Sequence, residues 1–586
     1  MKNRNFYLTL ATISTIVLIS CDFLDTRIDT IDTDDRIKTS YGTLWNFANS
    51  MYAPMQYGFS TIDNNLFASA SDEAQQTLTV SSVSSFNKGI VNSSVNPLGY
   101  LYQRYYEGIR AAYFFLDYAK DGEEFLALNR DTSGLKNPAN SVGYKRDVMN
   151  LNWYRAEAHI AMAYYYSELI KMYGGVPIVT SLMDDDPNKG RIPKSSYDQC
   201  VEYIVNLIDE YIDKVNPNWN TPIAELTSWN VASYAGRFDK ATALAIKART
   251  LLYAASPRNN PNNDITKWEK AAKAAQELIV FKNFTPPANR NYNTYFLGTG
   301  ALTNNESIFL MRKYLTAYPE TRNYPITTPG GNSGITPSHN LVSDYEFIGE
   351  PDPDDPYANR DPRLAASIVV NGSTWNDRMI DQSSGGTDDM AITNTSRTGY
   401  YLKKFLTDNL NLTQGGTAQH LWPLFRYSEV LLNYAEAMNE AYGPDNAADF
   451  TLTARQALNM VRRAASTALP QVTTTDHDEF RNAVKHERRI ELAFEDHRYW
   501  DLLRWKDAER VLNMPITGIK VISKEEIVTV IEGEEDEEDT YEYSYIFKYQ
   551  VVDVAPRVFK PHHYYLPFSR SEVENSGGTL HQNDGY

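Results

Sequence analysis

YRAEAHIAMAYYYSELIKMYGGVPIVT, residues 154–180, is the stretch that decides the fold. From Val148 to Tyr173 the side chains Leu151, Tyr154, Ala158, Met162, Tyr165, Leu169 and Met172 recur every three or four positions, which writes one apolar stripe on a long helix. Gly174, Gly175 and Pro177 stop it, because glycine reaches the left-handed conformation of a helix end and proline cannot continue the hydrogen-bond ladder. The same period runs through Ala241, Ala245, Ala248, Leu252 and Ala255 before Pro257, and through Phe425, Ser428, Leu432, Ala435 and Met438 before Gly443-Pro444. Further helices are expected near 98–119, 195–214, 266–281, 452–465 and 477–510.

Small residues crowd these stripes (Ala156, Ala158, Ala161 and Ala163; Ala435, Ala437 and Ala441), which lets helices approach closely as stacked pairs. The expected fold is mainly α, a tetratricopeptide-like helical array, although no clean repeat of about 34 residues can be traced. The array occupies 21–284 and resumes over 421–514. Between them, 285–420 is rich in Pro, Gly, Asn, Thr and Asp and loses helical periodicity, as an inserted loop-rich region does; loops of that length are functional or disordered, and its aromatics speak against disorder. The last block, 515–586, is irregular except for a β-hairpin: Tyr541, Tyr543, Tyr545, Phe547, Tyr549 and Val551 alternate and so share one strand face, opposite the run Ile519 to Ile531.

The N-terminus carries an export signal over 1–20. Lys2 and Arg4 precede an apolar stretch from Phe6 to Ile19, too short to span a bilayer as a helix, and Leu18-Ile19-Ser20-Cys21 reads as a lipobox with Cys21 as the lipidated residue. The mature chain is therefore expected to be anchored to a membrane without crossing it. With Cys21 lipidated, Cys200 has no disulfide partner and reads as a small buried residue. A net charge of -18, from 56 Lys and Arg against 74 Asp and Glu, leaves no basic footprint for nucleic acid.

Catalytic motifs are missing: there is no HExxH, CxxC, GxSxG or GxxxxGK[ST]. The densest charge in a helical segment, ERRIELAFEDHRYWDLLRWK at 487–506, is interleaved with Phe494, Tyr499, Trp500, Leu503 and Trp505, so its carboxylates and guanidiniums are read as a partly buried ion-pair network that fixes packing. No cofactor is expected. Calcium is the one alternative, at the oxygen-rich cluster Asp352, Asp354 and Asp355; the acidic run 532–539 lacks the ligand spacing of a calcium loop and reads as a solvated turn. The 41 tyrosines and 9 tryptophans, together with loop Asn, Asp, Gln and Arg, suit carbohydrate: flat rings stack on sugar C–H faces while polar groups meet hydroxyls.

Segments in one order along the chain also resemble a known family. They are CDFLDT from Cys21, ASASDEAQ around Asp72, YYEGIRAAYFFL at 105–116, residues 154–180, GRFDKATALAIKARTLLYAASP at 236–257, NRDPRL at 359–364, TGYYLKKF at 398–405, FRYSEVLLNYAEAMNEA at 425–441, residues 487–506, and YYLPFSRSEVENSGGTLHQNDGY at the end. In this the chain resembles the SusD/RagB family of Bacteroidetes outer-membrane nutrient-binding lipoproteins. It departs from the pattern at Tyr113, where Asn is common, and in a longer acidic hairpin. The resemblance implies a tetratricopeptide-like scaffold with a loop-rich ligand face, a lipid anchor on the cell-surface side of the outer membrane, and a SusC-like TonB-dependent transporter to which a non-enzymatic binder passes an oligosaccharide. It directs the search for ligand contacts to loops around 72–100 and 310–330: Asp72, Phe86, Tyr100, Tyr318 and Tyr324, with Trp375 added. A tetratricopeptide-like peptide-binding adaptor and a glycoside hydrolase are the alternatives; the latter needs two carboxylates flanking the scissile bond.

Overall fold

A computed structural model describes residues 41–130, 132, 142–183, 191–219, 236–312, 315–531 and 540–586. The expected signal 1–20 with Cys21 and the hairpin tip 532–539 lie outside these residues.

The principal helices are α1 (Tyr41–Ser50), α2 (Tyr100–Ala119), α3 (Val142–Tyr173), α4 (Tyr197–Tyr211), α5 (Lys240–Ala255), α6 (Ile265–Lys282), α7 (Tyr427–Tyr442), α8 (Ala454–Ala465), α9 (His477–Glu491) and α10 (Arg498–Arg504). Neighbours in sequence are neighbours in space: α2 packs on α3, α3 on α4, α5 on α6, α6 on α7, and α7 on α8 and α9. This is the stacked array that the stripes predict. Ala156, Ala158, Ala161 and Ala163 of α3 are fully buried at these contacts. The end of α3 is built as its sequence requires: Gly174 has φ +74°, and a Cβ on Gly175 would stand 2.0 Å from the Ser195 carbonyl oxygen, so only glycine lets the chain pass the start of α4. α4 then opens on a capping box, with Ser196 and Gln199 satisfying each other's backbone N–H groups.

Helix did not extend over all of 477–510. α9 ends at Glu491, and Phe494 and Asp496 adopt φ of +64° and +60° before α10 begins. Those left-handed residues turn Glu495 out of helical register toward Arg426, which takes it at 2.6 Å.

The described strands form two-stranded antiparallel sheets only. β1 (Ala74–Gln76) pairs with β3 (Ile335–Pro337), β2 (Ser307–Arg312) with β4 (Leu421–Arg426), and β5 (Ile516–Ile531) with β6 (Thr540–Ala555). The β5–β6 register sets Tyr541 opposite Val530, Tyr543 opposite Val528 and Tyr549 opposite Val521, so the aromatic alternation does fall on one face. The base of this hairpin is held to the irregular region by Tyr549, whose hydroxyl accepts from Asn371 and whose ring meets Tyr357; its distal half is exposed at Tyr541 and Tyr543.

Two hydrophobic cores result. The larger lies between the helices, with Tyr164, Tyr165, Tyr166, Cys200 and Trp500 buried in it. The second belongs to the irregular region, gathering Phe59, Leu66, Tyr292, Phe296, Tyr324, Trp375, Tyr401, Phe405 and Trp422. An irregular segment of this length still has to bury apolar surface, and it does so with its aromatic residues.

Candidate functional site

Two features could hold chemistry, and their geometry separates them. The first is the charged segment 487–506. Glu491 accepts from Arg426 at 2.6 Å, from Arg363 at 2.9 Å and from Arg290; Glu487 pairs with Arg363 and Arg462; Glu495 pairs with Arg426 and Lys404. Every one of these side chains is buried. The three guanidiniums hold the Glu491 carboxyl far below the usual carboxylate range despite its burial. Burial lowers Lys404 to about 8, a value that suits a catalytic amine, yet its three N–H donors are taken by Tyr292 Oη, the Ala493 carbonyl and Glu495. The network joins α9 to the irregular region, and every oxygen of Glu487, Glu491 and Glu495 and every N–H of Lys404 is engaged in it.

The second is a groove of about 620 Å³ at the foot of α2. Its walls come from three segments: 52–64, which follows α1; 82–104; and the end of β2. Tyr52, Gln56, Tyr57, Tyr100, Arg104 and Arg312 are the side chains whose chemistry matters. Tyr100, first residue of α2, is 44% exposed, and its hydroxyl stands 3.0 Å from the Thr61 carbonyl and 3.1 Å from Gln56 Oε1, which steadies the ring. Burial of the hydroxyl end pushes its pKa up to about 12, so it remains a neutral donor and acceptor. Tyr52 donates to Glu157 Oε2 at 2.6 Å, and Glu157 in turn pairs with Arg237 at 2.7 Å. Asp63 and Asn64 turn the chain with φ of +49° and +55°, and the Asp63 carboxylate accepts from Ser81 Oγ and from the N–H groups of Ser82 and Val83. Behind the groove, Gly58 is packed so tightly that a Cβ would fall 2.1 Å from the Trp422 ring.

A further cavity of about 370 Å³ is lined by Tyr102, Tyr106, Tyr113, Val179, Met183 and Leu580. Tyr106 and Tyr113 donate their hydroxyls to the Pro177 and Val179 carbonyls, which leaves mostly apolar wall. That wall suits sugar hydroxyls less well than the groove does.

The residues singled out from sequence are dispersed. Tyr100 lines the groove. Tyr318 is half-buried on a short helical turn, under the Arg322 guanidinium, and does not line it. Asp72 is 6% exposed and ion-paired to Arg489 and Arg498, which hold it charged. Phe86 packs edge-on against Phe67 and Tyr499. Tyr324 and Trp375 stack edge-to-face in the second core, 0% and 2% exposed. Those four side chains are turned into the protein: Tyr324 and Trp375 by the apolar demand of the irregular region, Phe86 by the larger core, and Asp72 by its two guanidiniums. Sequence reasoning passed over Tyr52, Gln56, Tyr57, Arg104 and Arg312; the available signal was YAPMQYGF at 52–59, where two tyrosines and a glutamine gather around Pro54, ahead of Gly58 and just past a helix. Among the described residues no group of three or more His, Cys, Asp or Glu is placed to hold a metal ion, and the Asp352 carboxylate accepts from the N–H groups of Asp354 and Asp355 in a turn.

A stacked helical array carrying an irregular region with its own core, and a groove of tyrosines and polar side chains beside it, defines the SusD-like class of fold. The chain belongs to the SusD family: the family model of that description matches residues 277–586, and a model described as "Starch-binding associating with outer membrane" matches residues 22–239. A SusD-like protein of Formosa agariphila is 25% identical over 383 residues, 62% of this chain and 69% of its own. A SusD-like protein of Bacteroides fragilis has a solved structure that superposes with TM-score 0.73 at 21% identity, covering 94% of this chain and 99% of its own. A second B. fragilis structure, described as a SusD-like carbohydrate binding protein, gives TM-score 0.67 at 23% identity over 93% of this chain and 100% of its own.

Proposed function

We propose that this protein binds oligosaccharide without cleaving it, in the groove formed by Tyr52, Tyr57 and Tyr100, and passes it to a SusC-like TonB-dependent transporter at the outer membrane, where Cys21 carries the lipid anchor. The observation that carries the reading is the groove itself, with exposed tyrosine beside amide and guanidinium groups in a member of the SusD family. The carbohydrate-binding description of the B. fragilis relative supports the ligand class, and the outer-membrane description of the N-terminal family model supports the location. Glu487, Glu491 and Glu495 of the 487–506 segment are held by guanidiniums and by Lys404, which argues for binding over hydrolysis.

One ring stacked on one tyrosine gains about 1 kcal/mol, so affinity should be on the order of micromolar to millimolar and rise with chain length. Calorimetry against a glycan panel, with chromatography of the incubated sugars, tests both halves. Tyr100→Ala should weaken binding severalfold in a protein of unchanged fold, whereas Tyr318→Ala should not. Release of shorter sugars, or full-strength binding by the Tyr100 variant, would overturn the proposal.

A further inference from the structure

The groove holds a cation that is fixed by backbone carbonyls alone. Arg104 projects from the first turn of α2, half-buried, and its Nε and Nη2 donate to backbone carbonyls of the segment that follows α1: Nε to Pro54 at 2.7 Å, Nη2 to Ala53 at 3.1 Å and Met55 at 3.3 Å. These bonds clamp the guanidinium in one orientation without neutralising it. No carboxylate of the described residues forms an ion pair with it, and Nη1 has no partner among them. Most buried arginines, Arg237, Arg249, Arg290, Arg363, Arg426 and Arg504 among them, have carboxylate partners within 3 Å; Arg258 and Arg557 share with Arg104 a set of neutral oxygen acceptors, but neither lines the groove.

A second guanidinium, Arg312 at the end of β2, lines the same groove. The carboxylate on the wall, Asp63, is already engaged by Ser81, Ser82 and Val83 in holding its loop, and those donors keep it charged and turned to the backbone. Two guanidiniums on one groove stand out in a chain whose overall charge is -18. A neutral sugar does not require this. Hydroxyl groups are met by amides, carbonyls and guanidiniums alike; what a fixed guanidinium adds is a charged planar N–H edge that matches the two oxygens of a carboxylate or the oxygens of a sulfate ester.

Resting on the glycan-binding reading above, we infer that the ligand is an acidic oligosaccharide, bearing uronate or sulfate groups, with one anionic substituent seated on Arg104 between the rings of Tyr52 and Tyr100. Arg312 supplies positive potential at the other side of the groove. Selectivity then comes from charge at one position, while the tyrosines stack on neighbouring rings whatever their identity.

The test uses matched pairs of probes on the mature protein: oligogalacturonides of several lengths against the same oligomers with their carboxyls methyl-esterified, and sulfated galactan oligomers against their desulfated forms. Calorimetry should show at least one acidic member binding tenfold or more tighter than its neutral counterpart, since a charge-assisted bond contributes roughly 1.5–3 kcal/mol and about 1.4 kcal/mol is a factor of ten. That advantage should shrink as salt rises. Arg104→Lys should lose most of the preference and Arg104→Gln all of it, with residual affinity for the neutral oligomer retained. The salt dependence of the unaltered protein keeps the test decisive should either variant misfold. Binding of neutral oligomers with no preference for acidic ones overturns this inference and leaves the glycan reading standing; failure of every neutral and acidic glycan to bind overturns the glycan reading itself.

Discussion

Replacing Glu491 by glutamine isolates what the buried network contributes. The side chain is 0% exposed, and its two oxygens serve Arg290, Arg426 and Arg363. An amide removes the charge, and however it is turned it points N–H donors at one of three cations. Removing one partner of a buried ion pair costs about 3–5 kcal/mol, because desolvated charge is left uncompensated. Unfolding entropy near 2.1 cal/mol/K per residue gives about 1.2 kcal/mol/K for the whole chain, so if it melts as one unit the midpoint should fall by about 2–4 °C. The sign of the pH dependence follows from the depressed carboxyl: its contribution is fully present above the unfolded-state value near 4.3 and is lost as pH falls through the folded value. In differential scanning calorimetry the gap between wild type and Glu491→Gln should therefore be constant from about pH 5.5 to 8 and close in acid. The folded variant should bind glycan as wild type does. An unchanged midpoint with binding abolished would refute this reasoning and make Glu491 part of the ligand chemistry.

Two other outcomes are expected. Cys21→Ala should release the protein from the membrane fraction or leave it unprocessed, since among the described residues no helix is long and apolar enough to cross a bilayer; retention in the detergent-extractable fraction, as for wild type, defeats the lipid anchor. Burial, and then the neighbouring charge of Asp72, raises Glu73 to about 8, so the stability it contributes is complete below the unfolded-state value near 4.3 and is lost as pH rises from there through about 8; Glu73→Gln should flatten the fall in melting temperature between about pH 4.5 and 8, and parallel profiles would show that Glu73 does not titrate there.

Much of the scaffold was legible because helical burial leaves a period. The stripe of α3 and its glycine stop, the alanine-rich α5 and the alternating tyrosines of β6 each carry a pattern that only one element satisfies. The break after α9 left no such mark. Aspartate tolerates positive φ, but Phe494 is a poor candidate for it, and the ion pairs that Glu495 makes with Arg426 and Lys404 favour the break. The same limit governed the site. An aromatic residue in a loop has no period, so nothing local distinguishes Trp375, buried against Tyr324, from Tyr100, open to solvent. The two loop regions that the resemblance pointed to do reach the groove, through Ser82, Pro97 and Tyr100 and through Met311 and Arg312, but the third wall, 52–64, comes from outside them.

That third wall bears on how weak contacts can hold a ligand. Each part of the groove is tied to something rigid: Tyr52 through Glu157 and Arg237 to α3 and the start of α5, the 61–65 turn through Asp63 to Ser82 and Val83, and the 53–55 backbone through Arg104 to α2. If these walls had to order on binding, immobilising each rotamer-rich side chain would cost about 0.5–1.5 kcal/mol, which is comparable to the whole gain from stacking one sugar. Three or four such side chains would cancil an oligosaccharide's contacts. A groove whose tyrosines and guanidinium are already fixed by hydrogen bonds avoids that loss, so modest contacts can still produce useful affinity. The same bonds explain why Arg104 can discriminate: a freely rotating cation would meet any substituent it could reach, whereas one clamped by three carbonyls presents its remaining edge in a single direction and rewards only an anion placed there.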